Sequence, residues 1–264
     1  MFKFEDNKCY QMPAHFTAHD YAPAGDVYRD VVKIAYTCTT DGDRLAQYVP
    51  EAFELLRPEM AIGYSQCGEV EWLAGSSYNL IEVCVPVRFQ GQHDRVDGHF
   101  ALVVWENKAH PILAGRELVG IPKIYADIED LHKIQQNYFT NASYEGNTFL
   151  RLKLLGAQPM EAQKLAEIKA QLAEIALLGW RYIPKIGGPG ADLSQPTLYP
   201  QNFETNSAWI GKGEVQWTEP TWEQNPLQCR IIKALAELPI IEMGPAVMVK
   251  GVAILNTSQA RILK

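Results

Sequence analysis

The chain has 264 residues, 47% of them hydrophobic and 10% aromatic, with 24 basic against 31 acidic side chains and a formal net charge of -7. That is length enough to bury a substantial core. The acidic balance lacks the basic surface that phosphate-backbone binding needs, which excludes nucleic acid as an expected partner, and no run approaches the roughly 18 apolar residues of a membrane-spanning helix.

The first sixteen residues, MFKFEDNKCYQMPAHF, lack the basic-then-apolar pattern of a secretory leader. His15 and His19 have HxxxH spacing, but Pro13 argues against the helix that would bring them together. From residue 30 to about 155 the chain reads mainly as β. Residues 30–39, 79–89, 98–107 and 147–156 are rich in Val, Ile, Phe and Leu and are bounded by turn-like residues. DRLAQYVPEAFEL predicts a short helix broken near Pro50. His93, Asp94, Asp97 and His99 cluster in a turn between strands, and a solvated hairpin tip is favoured there over a metal site.

The spacing predicts one long helix, from about Pro159 to Leu178, with Leu165, Ile168, Leu172 and Ile175 on one face and Gly179 as its stop. That face is expected to pack on the sheet. Residues 187–196 read as a loop, 226–238 as a second helix and 246–255 as a closing strand. One mainly-β domain over residues 1–264, with a few covering helices, is the expected organisation. Five cysteines, Cys9, Cys38, Cys67, Cys84 and Cys229, are scattered with no CxxC pair. With no leader pattern, this predicts free thiols and a cytoplasmic location. Asn141-Ala-Ser143 is then a chance sequon. No G-x-S-x-G, P-loop or dinucleotide fingerprint occurs.

One lysine is out of place. Lys123 sits between Pro122 and Ile124, with Ile121, Tyr125 and Ile128 close by. In an extended segment residues 121, 123 and 125 share a face. If that face lines a closed pocket, desolvation disfavours the ammonium. Bringing a lysine from about 10.4 to near 7 requires roughly 4–5 kcal/mol of such destabilisation. A neutral amine attacks a ketone to form a Schiff base, and the protonated imine is an electron sink for breaking a neighbouring C–C bond. Spacing alone favours the blander alternative, a lysine snorkelling to the surface from a strand edge.

The motif GRELVGIPK, residues 115–123, resembles the signature of the acetoacetate decarboxylase superfamily, in which Pro-Lys supplies the Schiff-base lysine. Acetoacetate decarboxylase is itself the standard example of a lysine activated by its surroundings. The likeness extends over most of the chain, through YRDVVKIAY (28–36), VPVRFQG (85–91), the residues that lead into the signature, and PLQCRIIKALAELPIIEM. It implies a strongly curved antiparallel sheet closing into a cone-like barrel around a buried pocket. It also implies a Schiff-base decarboxylase of acetoacetate or a similar β-keto acid, with no metal or organic cofactor, a small keto acid as its partner, and homo-oligomer formation. Carried over residue by residue, it assigns Lys123 as the nucleophile and Arg29 as a substrate-binding residue. Arg116 and Glu117 are expected to pair with each other and brace the segment that presents Lys123.

Two positions depart from the family pattern. Ile124 stands where many of these decarboxylases have a second lysine. Leu80 stands where, counting from Tyr78, they have a glutamate, and Glu82 two residues on is the candidate to replace it as a catalytic residue. Both departures keep open a Schiff-base aldolase or dehydratase acting on pyruvate-like acids. A non-catalytic barrel that binds a small acid is the third reading.

Overall fold

The computed structural model describes residues 1–20 and 25–264. The strands that matter for the site are β1 (Asp26–Thr39), β2 (Glu59–Val70), β3 (Ser76–Gln90) and β4 (Arg95–Glu106). Helix α1 (Ala109–Val119) and the short β5 (Lys123–Tyr125) follow, then β6 (Ile175–Pro184), β7 (Ala191–Trp217) and β8 (Pro245–Leu255). The structure is mostly strand, as predicted. β1 pairs with β2, β2 with β3, β3 with β4, β4 with β6, β6 with β7 and β7 with β8, and β8 returns to β1. The sheet therefore curves until it closes on itself as a ring. All of these pairings are antiparallel except β4 with β6, which run parallel at Leu177 and Leu178.

Strand alternation sorts the side chains between the two faces of the ring. Ile34, Tyr36, Ile62, Tyr64, Ile81, Val83 and Trp105 point outward, and they are not exposed there. They form the main core with Phe149, Leu150, Leu152 and Leu154 of the strand Asn147–Pro159 and with Ile232 and Leu235 of the helix Cys229–Ala236. The inward residues form two smaller apolar clusters around a cavity.

The long helix of the sequence reading is shorter than expected. It covers Ala162–Ala173, and Leu165, Ile168 and Leu172 pack against the inward cluster of Tyr28, Val31 and Phe203. Pro159 instead ends a strand, and Ile175 onward is β6. Ile175, Trp180, Tyr182 and Ile183 are strand formers, and pairing on both sides outweighs the helical spacing. Gly179 is not a helix stop. It sits in mid-strand, where a Cβ would lie 2.7 Å from the carbonyl oxygen of Gly120. Residues 191–196, read as loop, belong to β7, whose 27 residues join the two β-like segments that followed. The helix near Pro50 is a single turn, Gly42–Ala46, capped by the Asp41 side chain.

Candidate active site

All seven strands of the ring contribute to one cavity of about 50 Å³. A single water needs roughly 10–15 Å³ measured this way, so the space suits a ligand of a few heavy atoms. Ile121 and Lys123 enter it from the segment that follows α1.

Local structure explains how a lysine is delivered there. The signature residues 115–118 lie in the last turns of α1, and Gly120 ends that helix with a left-handed φ of 73°. The chain then reverses, with Ile121 N donating to Gly115 O at 3.0 Å and Val104 N to Pro122 O at 3.0 Å. Lys123 thus enters β5 parallel to β4, opposite Val104. Arg116 Nη1 donates to Lys123 O at 2.9 Å and fixes its backbone. Arg116 therefore braces the lysine directly, and no ion pair with Glu117 is formed among the described residues. Tyr125 is exposed and bonds Asp127, so the expected shared face of residues 121, 123 and 125 ends at Lys123. The extended stretch is too short for regular alternation.

The Lys123 side chain runs back across α1, and its ammonium donates to Pro111 O at 3.2 Å. It lies over Gly115. A Cβ there would come within 2.5 Å of Lys123 Cε and 2.9 Å of Nζ. Gly115→Ala is therefore expected to leave the fold intact, because an alanine suits a helix better than a glycine by up to about 1 kcal/mol. The flexible lysine tip must move instead, and a displacement near 1 Å lowers kcat by about 100-fold. Unchanged kcat with a wild-type melting curve would show that the position of Nζ does not matter.

Lys123 Nζ lies 2.8 Å from Glu106 Oε1, with the two side chains 12% and 0% exposed. The contact is close but poorly directed for a hydrogen bond, and Oε2 meets no donor among the described residues. Burial pushes the Glu106 carboxyl above its ordinary range, against the opposing pull of Lys123. A buried carboxyl of this kind is suited to take a proton from the amine and to return one. The sequence reading missed Glu106. It reads as the polar end of an apolar strand, and only the parallel pairing of β4 with β5 brings it to the lysine.

Glu82 does line the cavity, with Leu80 beside it on the same face. In register, Glu82 stands between Gly63 and Val104, and Gly63 leaves room for its carboxylate. Leu80 is directly opposite Glu106. Arg29 is not brought to the cavity. Simple alternation would place residues 29, 31 and 33 on one face, but the β1–β8 pairing slips by one residue between Gly251/Val31 and Ala253/Tyr28. Tyr28 therefore takes the inward place with Val31 and Lys33. Arg29 turns outward to an exposed ion pair with Glu71.

Apart from Lys33, the rest of the lining is neutral. Burial raises the phenols of Tyr28, Tyr78 and Tyr199 far above their ordinary value, so they stay protonated. Tyr78 donates to the Tyr28 hydroxyl at 3.2 Å, as does Trp72 Nε1 at 3.1 Å. Burial pushes the Cys67 thiol up to about 12. Cys67 is thus expected to escape alkylation by iodoacetamide at pH 8 in the native protein, since only the thiolate reacts; peptide mapping after labelling checks this. No group of three or more metal-ligating side chains occurs among the described residues. In the hairpin, Asp94 pairs with Arg261 at 2.8 Å and Asp97 with Arg88 at 2.6 Å. No helix is long and apolar enough to cross a membrane among the described residues.

Fold and site together define a closed-sheet protein with one lysine held against a buried carboxyl in a cavity sized for a small ligand. Residues 11–254 match the family model of acetoacetate decarboxylase (ADC), and the chain belongs to that family. The acetoacetate decarboxylases of Burkholderia mallei (strain NCTC 10229) and Burkholderia cenocepacia (strain HI2424) are 26% and 25% identical over 240 residues, 91% of this chain and 89% of theirs. Among solved structures, the acetoacetate decarboxylase of Legionella pneumophila superposes with a TM-score of 0.72 at 17% identity, covering 93% of this chain and 91% of that one. The enduracididine biosynthesis enzyme MppR, solved with pyruvate, gives 0.70 at 12% identity and covers 97% of both chains. These structural likenesses concern the fold.

Proposed function

We propose that the protein is a lysine-dependent decarboxylase of acetoacetate or a similar small β-keto acid. The observation that carries this reading is the contact between Lys123 and the buried Glu106 inside the ring's cavity, in a chain of the acetoacetate decarboxylase family. Glu106 takes a proton from the Lys123 ammonium, and the free amine attacks the ketone carbon. Loss of water gives a protonated imine. As CO₂ leaves, the C–C bonding electrons move into that imine and form an enamine. Protonation at carbon and hydrolysis then release the ketone and restore the amine, so the cycle balances without an external oxidant or reductant. Glu106 is the nearest group to Nζ for the proton transfers, and Glu82 is the second acid on the wall. The neutral tyrosines and apolar lining keep water scarce around the imine.

A pyruvate-directed aldol or dehydration reaction is the second reading. It is favoured by Leu80 and Ile124 and by the likeness to MppR, which was also solved with the condensation product of pyruvate and an aldehyde. The two readings separate in a product assay. CO₂ and acetone released from acetoacetate support the first. Condensation of pyruvate with an aldehyde, and no CO₂ from acetoacetate, supports the second and rejects the first.

A further inference from the structure

We infer that Lys33, and not Arg29, is the cation that receives the acid group of the ligand. The inference rests on reading the cavity as a small-acid site. Four charged side chains line that cavity: Lys33, Glu82, Glu106 and Lys123. Lys123 and Glu106 engage each other. Lys33 has no carboxylate within ion-pair distance among the described residues. Its ammonium stands over the ring of Phe203, 5.3 Å from the centroid, a contact that holds a cation without neutralising it.

Position along the strand fits the role. On the inward face of β1, Val31 is fully buried and Ala35 is exposed. Lys33 lies between them, half-buried, where the closed floor of the cavity gives way to solvent. Across the sheet the register runs Lys33, Ser65, Leu80, Glu106. Lys33 and Glu106 therefore stand three strand spacings apart on one curved wall, and the Ser65 hydroxyl lies beside Lys33 in the same row. A short keto acid whose carbonyl meets Lys123 occupies the same small cavity that the Lys33 side chain lines. Glu106, at the far end of the row, adds a buried carboxyl oxygen that meets no donor among the described residues. An anion beside Lys33 meets an ammonium with no carboxylate at ion-pair distance among the described residues, and a charge-assisted hydrogen bond to a desolvated carboxylate is strong.

The test uses 3-hydroxybutyrate, the reduced analogue of acetoacetate, which cannot form an imine. Its affinity is measured by calorimetry for the wild-type protein and for Lys33→Met, Lys33→Gln, Lys33→Arg and Arg29→Met, each checked by its melting curve. Loss of Lys33 is expected to weaken binding by about 10- to 100-fold, the span of one hydrogen bond to a charged group. Lys33→Arg is expected to retain most of the affinity, and Arg29→Met to stay within about twofold because its ion pair is exposed. The neutral 3-hydroxybutyramide should bind wild type and Lys33→Gln alike. Wild-type affinity in folded Lys33→Gln, a large loss in Arg29→Met, or no binding of 3-hydroxybutyrate to the wild type would each overturn the assignment. Borohydride trapping of acetoacetate on the wild type is run beside it. Binding that depends on Lys33 without trapping at Lys123 would retain the anchor and reject the decarboxylase reading. Trapping together with Lys33-independent binding would do the reverse.

Discussion

Replacing Lys123 by methionine is expected to lower the decarboxylation rate by about 10⁴-fold or more, roughly 5.5 kcal/mol of transition-state stabilisation. Methionine keeps much of the volume of the lysine stem over Gly115 but has no amine to form the imine. The substitution also leaves Glu106, whose side chain is 0% exposed, without its cation. Removing one partner of a buried pair commonly costs about 3–5 kcal/mol when the remaining charge cannot be neutralised. Glu106 has an escape, because burial already raises its carboxyl and it takes up a proton. The sign of the resulting pH dependence follows. A carboxyl whose folded-state value is raised binds more protons in the folded than in the unfolded state. Its stabilising contribution is complete below the ordinary glutamate value of 4.5 and is lost as pH rises through the higher folded value. The melting temperature of Lys123→Met should therefore fall, relative to wild type, as pH rises from that value toward neutrality. The double variant Lys123→Met with Glu106→Gln should lose this extra slope. Thermal melts across pH 4 to 8 check both.

Glu106→Gln carries the second large effect. The amide keeps the size of the side chain and still presents an oxygen toward Lys123, but it cannot take a proton. General acid–base groups contribute about 10²- to 10⁴-fold, and a kcat loss of about 10²- to 10³-fold is expected. The variant should still fold, and its pH–rate profile should lose the limb that reports the Glu106 carboxyl. A rate and pH profile indistinguishable from wild type would remove Glu106 from the proton transfers and pass that role to Glu82.

The readings that survived from the sequence are those that local chemistry controls. The strands at 30–39, 79–89, 98–107 and 147–156 all exist, because runs of Val, Ile, Phe and Leu between turn residues satisfy both faces of a sheet with little long-range information. Lys123 stood out because Pro122 and Ile124 are unusual company for a charge. Glu82 reached the cavity wall because alternation from Leu80 is unbroken through it. Arg29 shows where the same rule stops. A one-residue slip against β8 reverses the inward parity at the start of β1, and such a bulge depends on a strand more than 200 residues away in the chain. The register between distant strands likewise hid Glu106 and Lys33, since no motif announces that Val104 will pair with Lys123 or that Lys33 will face the cavity. Helical spacing at 165–175 held only as far as Ala173. Beyond it, edge pairing on both sides of β6 overrode the local pattern.

The central claim is that Lys123 forms an imine with a small keto acid. The most direct measurement incubates the wild-type protein with acetoacetate, and separately with pyruvate, adds borohydride, and locates the mass increase by peptide mapping. The expected result is one reduced adduct per chain, on Lys123, formed more fully with acetoacetate and absent from Lys123→Met. An unmodified wild-type chain with both acids, or an adduct on any other lysine, would contradict it.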